Sequence, residues 1–423
     1  MGPWKLITLD KARQLAMSCM SGLQRQTEIV GLREAMGRIA AVDFINTEDN
    51  PPFDRSTVDG FAMVSSDSAT ASMATPSVVS VVGEVKMGSL AEDIVTQGQA
   101  IRIPTGGMLP EGADAVIMRE YTRDAGDGTL LVLRSVVAGD NVIRRGDDAV
   151  AGSVVVSAGH RIGVPDLGVL ASCGADHVIV VKKPVVTIVT TGDEIIAPGT
   201  VPAPGQIRDV NSFTLLALAE AAGCEVLLTE KVPDSQEGLS AVLEAAVAKA
   251  DVVLVSGGSS VGDRDFTTTA VQSLHGVKIW FHGVALKPGK PTLMALAGET
   301  VIFGVPGHTV AAMTVFKEIV EPALLAFQGV ISVSPRFVIQ AKLGAPLRPD
   351  AERDEILRVR LEQREDGVLA WPLPAKSGLI TVMTRAHGMV YTKAGQREMQ
   401  TGEIVEVQVL TDRVSGTWQG VLR

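Results

Sequence analysis

The chain has 423 residues, 46% hydrophobic and 20% charged, a globular composition long enough for roughly three domains whose cores need no disulfide or metal staple. Thirty-eight Lys and Arg against 48 Asp and Glu give a net charge of −10, with aromatic residues at only 4%, which excludes a general nucleic-acid binder with a basic footprint and base-stacking platforms. Cys19, Cys173 and Cys224 lie far apart without a CxxC pair, no run approaches 18 apolar residues, and the first twenty residues lack a basic-then-apolar order, so no disulfide framework, zinc ribbon, membrane span or signal peptide is expected and the cytoplasm is the expected compartment.

In chain order, Ala12, Leu15, Ala16 and Cys19 share one face at helical spacing, predicting an amphipathic helix over 8–20. A weaker helix is expected over 31–42. The stretch 46–62, NTEDNPPFDRSTVDGFA, reads as loop, and 65–77, rich in small polar residues, as a connector. From Val78 to Val137, β-type runs alternate with Gly, Pro and Asp, predicting a β-rich domain. Residues 184–194 form a β-branched run that ends in a polar turn. A helix follows over 211–223, with Asn211 as N-cap and Gly223 just past its end, then a strand over 224–232. Residues 234–250 predict a helix whose capping box is Asp234 and Glu237. Strands at 251–256 and 300–307 and a helix over 310–327 complete an alternation that predicts a mostly parallel sheet with helices on both faces. Beyond residue 328 the runs EILRVRLEQ, GVLAWPL, LITVMTR and EIVEVQVL read as β.

Ligands of such sheets sit beyond the carboxyl ends of the strands. Three loops follow strand ends here: TGDE (191–194), SGGSSVGDRD (256–265) and VPGHT (305–309). The Gly-rich loop offers backbone N–H groups to an oxyanion, or is simply a turn. KPGKP (287–291) is not a P-loop: five residues separate Gly283 from Gly289 where the motif has four, and Pro291 stands where Ser or Thr would hold magnesium. Lys287 and Lys290 still offer two ammonium groups to phosphate, or form a solvated turn. Asp193 and Glu194 are oxygen ligands suited to magnesium, with Asp193 the more structural of the two. Asp234 is both a natural cap and a candidate site residue. None of the six histidines has metal-ligand spacing, and no GxSxG elbow appears.

Taken together, PPFDRSTVDGFA, IRIPTGGMLPEGADAVI, NVIRRGDDAVAGSVVVSAG, VTTGDEI, GQIRDVNSFTL, DVVLVSGGSSVGDRDF, ALKPGKPT and FGVPGHTVAAM run in one order over nearly the whole chain. In that order they resemble the molybdopterin molybdenumtransferase (MoeA) family, related to the gephyrin E domain. The resemblance implies a multidomain α/β plus β protein. Its parts would be a split linking domain (21–45 and 147–170), a β-rich domain (46–146), a doubly wound α/β molybdopterin-binding domain like that of MogA (7–20 and 171–328) and a C-terminal β-barrel (329–423). It implies insertion of molybdate into adenylyl-molybdopterin with release of AMP, magnesium as the cation, and a homodimer with the site between the doubly wound domain of one chain and the β-rich domain of the other. It allows transient contacts with the adenylylating enzyme and molybdoenzyme chaperones, and no nucleic-acid or membrane partner.

Carried over position by position, the resemblance implies catalytic roles for Asp59, Thr105, Asp148, Glu194 and Asp265, with Asp59, Glu194 and Asp265 at the metal. It implies substrate contacts for Gly257, Gly258, Ser259, Asp234, Lys287, Lys290, Pro306, His308, Arg358 and Ser377. Arg55 replaces the Asn of many members, and PGHT (306–309) replaces PGNP, so His308 and Thr309 alter the loop held to bind the oxyanion. Tungstate is therefore an alternative to molybdate. A binding scaffold without turnover, or an enzyme of the adenylylation step, are the rival functions. The net charge of −10 opposes an anionic substrate, so the pocket must be locally positive or metal-loaded.

Overall fold

A computed structural model describes residues 5–228, 232, 234–257, 266–330, 336–373 and 376–410. Its largest core lies under a six-stranded sheet. In spatial order the strands are Glu225–Leu228, Val185–Thr190, Val252–Ser256, Thr300–Val305, Leu293–Ala297 and Lys278–His282. The first four are parallel; the last two form an antiparallel edge. Every residue of Val252–Ser256 and Thr300–Val305 is buried, as expected of parallel strands covered on both faces. The N-terminal helix Leu9–Ser21, capped by Thr8, buries Leu9, Ala12, Ala16, Cys19 and Met20 against that core.

A second six-stranded sheet has the order Ala115–Met118, Gly60–Met63, Gln99–Ile103, Ser77–Glu84, Thr129–Val132, Thr122–Gly126. Alternate residues of 60–63 serve opposite faces, with Phe61 and Met63 in one cluster and Ala62 in another. In the C-terminal region five strands close into a barrel. Asp354–Arg364 pairs with both Gly367–Pro372 and Gly388–Thr392, while Val338–Leu343 and Ile404–Val409 complete the circuit. The short strand Leu286–Lys287 adds in parallel to Asp354–Glu355 and ties the KPGKP loop to the barrel.

Several expectations are corrected. The helix expected over 31–42 is only Leu32–Ala35, because Met36 leaves the helical region and Gly37 takes φ +75°. The loop over 46–62 contains strand Arg55–Ser56 and the start of Gly60–Met63. Strand His177–Val181 pairs with Thr27–Gly31, and Leu170, Val178 and Val180 share one small cluster with Val30 and Ala35. LITVMTR contains the helix Thr381–Arg385, not a strand: Val382, Met383 and Ala386 are buried, a helical rather than alternating spacing. The helix over 310–327 is interrupted by a π-helical turn at Phe316–Val320.

Candidate active site: two adjoining clefts

The first cleft, about 880 Å³, opens where the parallel strands end. Its floor is three polypeptide crossings whose backbones approach closely. Gly257 takes φ +110°, and a Cβ there would stand 2.2 Å from the Thr191 carbonyl oxygen; a Cβ on Gly307 would lie 3.9 Å from the Gly257 Cα. At Gly257 only glycine allows this approach. Asn211, 7% exposed, holds the crossings together: its Nδ2 donates to Ser256 Oγ at 2.7 Å and to the Gly307 carbonyl at 2.8 Å. It is therefore not the N-cap; Val210 holds that position, and Asp209 Oδ1 accepts from the Ser212 N–H at 3.1 Å.

Glu194 lines this cleft, its carboxylate folded back over Gly192, where a Cβ would meet both oxygens at 3.0 and 3.1 Å. Asp234 lines it too. Its expected role as N-cap falls to Ser235, whose Oγ accepts from the Gly238 N–H at 3.2 Å. Asp234 Oδ1 instead accepts the Thr191 hydroxyl. Among the described residues, Asp209 and a single guanidinium, Arg208, complete the charged lining, and Pro306 and His308 also line the cleft.

The second cleft, about 930 Å³, shares Pro291, Pro306 and His308 with the first. It lies between the KPGKP loop and the barrel. Among the described residues, Lys287, Lys290, Arg353, Arg358 and Lys376 line it against one carboxylate, Glu355. The strand pairing that sets Lys287 opposite Glu355 also makes their ion pair, 3.0 Å, and Lys287 reaches Asp350 at 3.4 Å. The Arg353 guanidinium beside Asp350 holds that carboxyl well below the usual range. Arg358 is 8% exposed; Nη2 donates to the Ile356 carbonyl at 3.3 Å, while Nε is buried without a hydrogen-bond partner. Burial lowers the Arg358 pKa, and Glu355 opposes that shift. Ser377 reaches the junction of the clefts: its Oγ hydrogen-bonds His308 Nδ1 at 2.8 Å, and its carbonyl accepts from the Val310 N–H at 3.2 Å.

Asp59 and Thr105 meet elsewhere, on the β-rich domain. Asp59 Oδ1 accepts from the Thr105 N–H at 2.7 Å and from its hydroxyl at 2.9 Å, and these bonds lower the Asp59 pKa. Asp148 accepts from Asn50 Nδ2 at 2.9 Å. None of the three lines either cleft. Gly258, Ser259 and Asp265 lie outside the described residues. Arg208, Arg353 and Lys376 were not anticipated. Arg208 stands within the motif GQIRDVNSFTL, whereas Arg353 and Lys376 sit in segments with no recognisable spacing.

Magnesium does not require an all-protein cage; it is commonly held by one or two carboxylates, substrate phosphates and water. Among the described residues no group of three metal-ligating side chains forms. Glu194, an exposed carboxylate on the first cleft, fits the smaller requirement.

Family models match three stretches: the MoeA N-terminal region (domain I and II) over 7–174, a probable molybdopterin binding domain over 187–326, and the MoeA C-terminal region (domain IV) over 340–410. A molybdopterin molybdenumtransferase of Bacillus subtilis is 32% identical over 95% of this chain and 94% of its own length. One from Haemophilus influenzae is 35% identical over 77% and 78%. A solved molybdopterin biosynthesis MoeA protein from Pyrococcus horikoshii superposes with a TM-score of 0.79 at 34% identity, covering 96% of this chain and 99% of that one.

Proposed function

The chain belongs to the molybdopterin molybdenumtransferase (MoeA) family, and we propose that it is a transferase of molybdenum cofactor biosynthesis whose two clefts hold the two reactants side by side. The observation that carries the assignment of reactants is Arg358. A buried donor left unpaired costs about 1–3 kcal/mol, and here it belongs to a guanidinium in a cleft with four further cations. An anion supplies the missing acceptor. The second cleft is therefore the oxyanion site, with Lys290, Lys376 and Arg358 as its donors. Lys287 adds charge while anchored to Glu355.

The first cleft takes adenylyl-molybdopterin along the strand ends, against the backbone of 191–192, 256–257 and 306–307. Arg208 faces its phosphates. Holding dithiolene and oxyanion in adjoining pockets makes their encounter unimolecular, and positioning supplies much of the rate. Glu194 would hold the divalent cation, which when bound neutralises the phosphoanhydride as AMP leaves. No covalent protein nucleophile is needed. The carboxylates absent from both clefts, Asp59 and Asp148, and Thr105 beside Asp59, belong to a site completed by a second copy of the chain: the partner subunit's Asp59 faces the first cleft in a homodimer.

The test is incubation of the purified chain with adenylyl-molybdopterin, magnesium and either molybdate or tungstate, scoring AMP. Oxyanion-dependent AMP release is the expected result, and the better oxyanion identifies the metal. Tight pterin binding without AMP release would favour a scaffold.

A further inference from the structure

The second cleft has walls on two bodies, the KPGKP loop on the doubly wound domain and Arg358 with Ser377 on the barrel; the pairing of Leu286–Lys287 with Asp354–Glu355 fixes one edge of it, and the seating of the barrel sets the rest of its width. One polar contact in that seat stands out. Glu318 is 2% exposed and lies in the π-helical turn Phe316–Val320. Pro322 has no N–H to give the Glu318 carbonyl four residues before it, and Arg13 Nε, from the N-terminal helix, donates to that carbonyl at 3.0 Å. The same guanidinium reaches Glu318 Oε2 at 2.6 Å. From the other body, the Tyr391 hydroxyl donates to Oε1 at 2.5 Å. Arg336, where the described chain enters the barrel, binds both oxygens at 3.1 and 3.2 Å and donates to Gln408 Oε1 at 3.0 Å.

Burial and the adjacent carboxylate push the Tyr391 phenol above its ordinary range, so it remains a donor at neutral pH. Two carboxylate oxygens thus receive charge-assisted bonds from both bodies. The helix that leads into this turn begins at Thr309, next to His308 in the cleft junction, and its Val310 packs against Val382 and Met383 of the barrel. The barrel is therefore held to one continuous helical segment at two points, one at the cleft and one at Glu318.

We infer that Glu318 is a positioning residue: it latches the barrel through Tyr391 and Arg336 and so sets the separation between Lys290 and Arg358, Lys287 being held by its own pairing with Glu355. This rests on the reading of the second cleft as the oxyanion site.

The test uses Tyr391→Phe, which at a partly exposed position removes both the bond to Glu318 and the 2.8 Å bond that the hydroxyl accepts from Arg336 Nη1, and Glu318→Gln. Nitroxides are placed at Glu244→Cys and Glu365→Cys, both exposed, with the three native cysteines buried, and diluted with unlabelled chain. Pulsed electron resonance then reads the interdomain distance, and calorimetry reads molybdate binding. The expected result is a broadened distance distribution with molybdate bound about 10- to 100-fold more weakly, while kcat at saturating molybdate stays within about 2-fold in Tyr391→Phe. An unchanged distribution, or unchanged molybdate affinity, in the folded Tyr391→Phe variant overturns the proposal even if Glu318→Gln fails to fold. If the wild-type chain binds no molybdate, the reading of the cleft fails and the distance distribution alone decides the latch.

Discussion

At the scale of residues, the proposed function gives Glu194 and Arg358 opposite roles, one toward a cation and one toward an oxyanion, and the two differ in burial. Glu194 is exposed, and exposed substitutions usually change stability by less than about 0.5 kcal/mol. Glu194→Gln is expected to abolish AMP release with an unchanged melting temperature, measured by chromatography and calorimetry. Arg358→Met removes the buried orphan donor. Equilibrium dialysis should show loss of molybdate binding while the variant is as stable as the parent or more so, since an unpaired buried polar group disappears. Asp59 gives a pH test. Its folded pKa lies below the ordinary 3.8, chiefly through the Thr105 backbone bond and then the hydroxyl bond. The clamp's contribution is thus fully present above the unfolded value and is lost as pH falls through the lower folded value. Thr105→Val removes the hydroxyl bond alone. Carbon NMR of the Asp59 carboxyl should find its pKa moved part of the way back up; a pKa that stays where it was would contradict the clamp.

At the scale of elements, the strand-end floor depends on close backbone approach and on Asn211. Gly257→Ala forces a Cβ into the Thr191 carbonyl at a positive φ; backbone strain alone is worth about 1–3 kcal/mol, and the cleft should lose activity with it. The two readings of Asp234 separate by substitution. Ser235→Ala should cost about 1 kcal/mol as loss of a cap, seen in thermal unfolding, with turnover retained. Asp234→Asn should leave the cap intact and lower turnover. The buried parallel strands were legible in sequence because both faces are covered, so Val252–Ser256 and Thr300–Val305 read as mostly apolar, not alternating, runs. LITVMTR failed for the complementary reason: a β-branched run can bury positions 0, 1 and 4 as readily as alternate ones, and tertiary packing on Val310 decided for helix.

At the scale of the whole molecule, the sequence exposed the rim loops but not the second cleft. Its lining comes from segments as far apart as Lys287 and Lys376, joined by one two-residue strand pairing between Leu286–Lys287 and Asp354–Glu355. No local spacing encodes that juxtaposition; the motif order and its family resemblance carried Arg358 and Ser377 instead. The same scale explains Asp59. Its motif is unmistakable, yet within one chain its side chain serves Thr105 and lines neither cleft, so the part proposed for it in the reaction requires a second copy of the chain.

Mixing of inactive chains tests that dependence directly. Glu194→Gln and Asp59→Asn are each expected to release no AMP as homodimers. When the two are co-refolded, each mixed dimer contains one site with both mutations and one with neither, and AMP release should return to about a quarter of the wild-type rate, since half of the dimers are mixed and each has one intact site. A mixture as inactive as its components, with mixed dimers verified by mass, would contradict a crevice assembled from the carboxylates of two subunits.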